Sequence, residues 1–98
     1  MEYGIYLLLR YEFRWNGWNL DHIAEHGVAP EEAQYVVEHP ARGYPQYIGD
    51  GKYLAKGQTP AGRYLQAIYI FSPPEVVYTI HARPMKVAEK SKLRRRKR

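Results

Sequence analysis

Leu9, Tyr11, Phe13 and Trp15 alternate with Arg10, Glu12 and Arg14, and a period of two marks a strand with one buried face. The pattern then changes. A short helix is predicted from Trp18 to His26, with Asn16 or Asn19 as its cap and Gly27 as its stop. Pro30 suits the first position of a second helix, and Glu31 and Glu32 complement its positive end. Ala33, Val36 and Val37 supply the inner stripe, and Pro40 ends the helix. Residues 41–51 are rich in Gly, Pro and Tyr and read as irregular. Lys52 to Lys56, Arg63 to Phe71 and Val76 to Arg83 then read as three strands. Their connections, Gln58 to Gly62 and Ser72 to Glu75, have hairpin length. An N-terminal strand, two short helices and a three-stranded antiparallel meander completing one sheet make an α+β domain, with the helices on one face.

A chain of 98 residues has room for one core. It buries roughly two thirds of its unfolded surface on folding. The organisation predicted is a single domain over residues 1–85 and a basic C-terminal tail over 86–98, part helical from Lys86 through Leu93. Cysteine is absent, which excludes disulfides, Cys-ligated zinc and a thiol nucleophile. That composition fits a reducing cytoplasm. The apolar run Ile5 to Leu9 is far shorter than a membrane span and lacks the lead-in of a signal peptide.

Charge divides the chain more sharply than its net +5 suggests. In residues 86–98, eight cations face Glu89 alone and leave +7, so the remainder carries −2. Lys86, Arg94, Arg95 and Arg96 are therefore the candidate RNA contacts, because a cationic tail attracts polyanions without reading sequence. A solvated tail that aids solubility is the plain alternative.

His22-Ile23-Ala24-Glu25-His26 matches the H-x-x-E-H pattern of zinc peptidases. A catalytic zinc needs a third protein ligand and a cleft, and a two-turn helix ending at Gly27 offers neither. No metal or other cofactor is indicated. Closing a helix end or bonding backbone is the structural role open to at least one of these histidines. The strand Val76 to Arg83 is richer. Val77, Thr79, His81 and Arg83 share one face and Val76, Tyr78, Ile80 and Ala82 the other. Imidazole and guanidinium suit proton transfer and phosphate binding. If Phe71 pairs with Val76, Arg83 lies opposite Tyr64, and Arg63 points to the other face from Arg83. A one-residue longer loop or a bulge puts the two arginines together. The ten tyrosines, including Tyr44, Tyr47 and Tyr53, suit base stacking, sheet packing or a protein interface alike.

Read in order, an aromatic strand ending in Trp15, then Asn19, His26-Gly27-Val28, Glu31-Glu32-Ala33, Gly57 with Thr59, Gly62-Arg63 and Ile80-x-Ala82-Arg83 resemble the BrnT family of bacterial toxins. The resemblance runs from about Tyr11 to the tail. It implies a RelE-like α+β fold and a metal-independent endoribonuclease that inhibits growth or translation. It also implies a cognate ribbon-helix-helix antitoxin as partner, RNA or the ribosome as target, and operator DNA bound only through the antitoxin. By position, Arg63 and Arg83 match the family's strand arginines and would hold the phosphate attacked by the RNA 2′-hydroxyl. His81, or alternatively His22, would supply proton transfer. The chain departs from the family where Trp18 and Glu25 stand near positions usually held by lysine. A non-catalytic RelE-like module that binds a protein partner, and a small RNA- or ribosome-binding protein, are the rival readings.

Overall fold

The computed structural model describes residues 11–72 and 75–96, with the side chain of Arg96 outside that description. The elements run β1 (Glu12–Phe13), α1 (Gly17–Ala24), α2 (Pro30–Glu38), β2 (Gln46–Gly49), β3 (Lys52–Gln58), β4 (Tyr64–Ser72), β5 (Val76–Pro84) and α3 (Val87–Arg96). The sheet order is β1-β5-β4-β3-β2. Strands β2 to β5 are antiparallel neighbours, and β1 lies parallel to β5 at the edge.

Asn16 caps α1 by accepting from the Asn19 N–H, while the Asn19 side chain accepts from the Asn16 N–H at 2.8 Å. Both asparagines therefore serve, one as cap and one as its reciprocal partner. After Ala24 the chain turns through Gly27, whose φ of +70° is open to glycine without strain. The Gly27 N–H reaches the Ala24 carbonyl and the Val28 N–H reaches the Ile23 carbonyl. That pair of bonds closes a Schellman turn, and it drops Val28 into the core beside Ile23. Helix α2 starts at Pro30, and the Glu32 carboxylate accepts from the Ala29 N–H at 3.0 Å.

Helix α1 packs over β5, and α2 over β3 and β4. The core joins Ile23, Val28, Ala33, Val36 and Val37 of this helical layer to Ala55, Leu65, Ala67, Tyr69, Val77 and Ala82 of the sheet. At Gly57 strand and helix approach closely, since an added Cβ would stand 3.3 Å from the His39 carbonyl oxygen. Helix α3 takes the other face. Lys56, Gln66 and Arg83 form one cross-strand row there. Arg83 binds Glu89 of α3, and Leu93 of α3 is buried.

Three expectations change. The segment read as irregular contains β2, a fourth antiparallel strand pairing Gln46 and Tyr47 with Leu54 and Tyr53. Strand β1 is only two residues long among the described residues, although the Arg14 N–H extends it by bonding the Val77 carbonyl. The upstream part of the predicted strand, Leu9 and Arg10, lies outside them. The tail is a helix from Val87 to Arg96, later at both ends than Lys86 to Leu93. No helix among the described residues is long and apolar enough to cross a membrane.

Candidate functional site

Strand β5 leaves β1 behind after Val77, so its later residues form the sheet edge among the described residues. Register along that edge is what places the histidine. Ser72 faces Val76 and Tyr69 faces Thr79, but Ile68 faces His81, so Ile80 is an inserted residue. Without this bulge His81 would face Ala67 and its core slot. With it, Ala82 fills that slot and is fully buried, while His81 is half-buried at the edge. Bulges re-aim side chains in this way, often beside active sites.

Around His81 the chain gathers three other cationic or titratable groups. The His26 ring, carried by the Schellman turn, stands edge-on with its centroid 5.5 Å from that of His81. Burial first, then His26, Arg83 and His22, hold His81 below the ordinary histidine range. Those surroundings favour the neutral form of its ring. His22 stacks on Trp18 at 4.3 Å, and Trp18 lies 6.2 Å from Tyr78 in a near-parallel arrangement. Trp18 is 52% exposed, an uncommon state for so large a ring. Among the described residues, no group of three or more His, Cys, Asp or Glu side chains is placed to hold a metal ion.

The predicted arginines do not converge. Arg63 precedes β4, where the Thr59 hydroxyl accepts its N–H at 3.0 Å. Its guanidinium donates to both Glu32 oxygens, at 2.8 and 2.9 Å, and to the Gly27 carbonyl. It thus ties the turn after α1 to the start of α2, on the helical face. The bond from the Ala29 N–H, with Arg63 beside it, keeps Glu32 ionised below the ordinary carboxylate range despite some burial. Arg83 faces Gln66 and donates to both oxygens of Glu89, at 3.0 and 2.9 Å. That pairing strengthens its hold on its proton. Each arginine is committed to a carboxylate, on opposite faces of the sheet.

The tail residues stand apart from the histidines. Lys86, Arg94 and Arg95 are exposed on or beside α3, with the Arg94 guanidinium 5.5 Å over the Tyr64 ring. A pocket lined by Tyr44, Gln46, Lys56, Glu89, Lys92 and Leu93 lies between α3 and the sheet. Its walls hold no histidine. Of the residues singled out in the sequence, the fold brings Arg83 and His22 into electrostatic contact with His81, and it leaves Arg63 outside that group. His26 is the member that sequence reasoning did not place in the site. The signal for it was its place directly before a helix-stopping glycine, where the chain must turn back over the sheet. Comparison with family models, curated proteins and solved structures finds no match to this chain.

Proposed function

We propose that this chain is the toxin half of a cytoplasmic two-component toxin–antitoxin module, BrnT-like in family and RelE-like in fold. It acts as a metal-independent endoribonuclease on RNA or on translating ribosomes. One observation carries the reading: a half-buried His81 on the edge strand of the described sheet, flanked by His26, Arg83 and His22. A neutral imidazole beside positive charge suits removal of a 2′-hydroxyl proton next to a phosphate. His81 is the proton acceptor, and His22 stacks on the exposed Trp18 ring. A ribbon-helix-helix antitoxin neutralises the toxin, and operator DNA is bound only through that partner. The expected result is cleavage of total RNA in excess EDTA that Arg83→Ala reduces at least tenfold. Growth arrest on expression, relieved by a neighbouring antitoxin reading frame, completes the test. An unchanged rate for Arg83→Ala removes that residue from the site.

A specific observation favours a second reading, a non-catalytic RelE-like module that binds a protein. Both candidate phosphate-binding arginines are already neutralised, by Glu32 and Glu89. Tyr11, Phe71 and Tyr47 are exposed and linked through Tyr53 in a continuous aromatic patch. Silence of the wild-type chain on RNA and on ribosomes, with retained binding to the antitoxin, decides for this reading.

A further inference from the structure

We propose that His26 is a catalytic residue, the general acid that protonates the leaving 5′-oxygen while His81 accepts the 2′-hydroxyl proton. The inference rests on the ribonuclease reading above and assigns the second half of its proton traffic.

Two unrelated local devices bring the rings together from 55 positions apart in the chain. The Schellman turn at Gly27 reverses the chain after α1, burying Val28 and leaving His26 exposed. The bulge at Ile80 takes His81 out of the slot facing Ala67. Neither device is needed merely to place an exposed histidine, yet together they set the ring centroids 5.5 Å apart. Ring nitrogens lie about 1 Å from a ring centre. A scissile linkage whose 2′-hydroxyl donates to one ring and whose 5′-oxygen accepts from the other, each at about 2.8 Å, therefore fits against both imidazoles. The substrate is an RNA strand, since the attacking nucleophile is its own 2′-oxygen.

The step balances without metal or water. The O2′–H bond breaks and its proton goes to His81. The 2′-oxygen forms a bond to phosphorus, the P–O5′ bond breaks, and the proton of a protonated His26 goes to O5′. The products are a 2′,3′-cyclic phosphate and a 5′-hydroxyl end. The roles follow from surroundings. His81 is half-buried and faces His26 of the turn, His22 of α1 and Arg83 of its own strand, all of which oppose a second charge there. His26 is exposed, on the solvent side of the pair, where the leaving 5′-oxygen departs.

A leaving-group substitution separates the roles. The substrates are a short oligoribonucleotide and the same strand with a 5′-bridging sulfur at the scissile position, a leaving group that needs no protonation. The variants are His26→Gln and His81→Gln, with circular dichroism confirming that each folds. His26→Gln is expected to lose about 10²- to 10³-fold on the ordinary strand and to return to within tenfold of wild type on the sulfur strand. His81→Gln stays slow on both. Wild-type rates for His26→Gln on the ordinary strand, or equal slowing on both strands, overturn the assignment while leaving the ribonuclease reading intact. A wild-type chain that cleaves neither strand, nor RNA on translating ribosomes, overturns both.

Discussion

Asn19 and Thr79 are both fully buried polar residues, and they have opposite consequences. The Asn19 amide donates to the Arg14 carbonyl at 2.9 Å while its oxygen takes the Asn16 N–H. One side chain thus fixes the end of β1 to the start of α1. Asn19→Ala leaves both backbone groups unpaired and is expected to destabilise the fold by about 2–3 kcal/mol. The check is a urea midpoint shift at unchanged slope. The Thr79 hydroxyl is buried without a partner among the described residues. Thr79→Val keeps the shape and removes the unpaired group, so it should stabilise by about 1 kcal/mol. The same titration reads the sign. Sequence reasoning found Asn19 as a possible cap, because a capping pair is local. It placed Thr79 and His81 on one face, because strict alternation has no room for the bulge at Ile80.

At the scale of elements, register decided what could be read. Long strands announced themselves through alternation and turn residues, and β3, β4 and β5 lie within a residue or two of expectation. Strand β2 did not, since its Gln-Tyr-Ile-Gly is short and follows a Gly- and Pro-rich run. The β4–β5 pairing is shifted by one residue from the simplest hairpin, with Phe71 facing Val77, and the bulge shifts it once more. Either shift alone would have put Arg63 and Arg83 on one face. Both together cancel, and each arginine finds its own carboxylate. The Arg83–Glu89 pair anchors α3. Hydrogen bonds from Arg83 and then the Lys86 N–H pull the Glu89 carboxyl down to about 2. Because this folded value lies below the unfolded carboxylate value of about 4.3, the ionised form favours the folded state. The contribution is intact above about pH 4.3 and is lost as pH falls toward 2. Glu89→Gln at neutral pH should therefore loosen α3. Amide exchange over residues 87–96 should rise roughly fivefold, matching about 1 kcal/mol for a partly solvated pair, with exchange in β3 and β4 unchanged. Equal protection in the variant would mean that Leu93, buried on the same helix, holds α3 unaided.

Across the whole molecule, the cationic charge and the histidine cluster are separate. Helix α3 covers one face of the sheet, α1 and α2 cover the other, and His81 lies on the edge strand between them. The contact that joins the two regions is Arg83, which influences His81 and binds Glu89. An RNA strand that reaches the histidines while its backbone follows α3 must wrap the β5 edge. Its affinity should then depend steeply on salt. For single strands each phosphate contact contributes about 0.7 to the slope of log affinity against log salt. Replacing Lys86, Arg94 and Arg95 together with Gln keeps Leu93 and the Arg83–Glu89 pair, so α3 remains docked. That slope should fall by about 2 in the triple variant, with cleavage of saturating RNA changed much less than binding. An unchanged slope would mean that α3 touches no phosphate. The positive charge would then face a protein partner or solvent, and RNA would reach His81 from the α1 side alone, past the exposed Trp18.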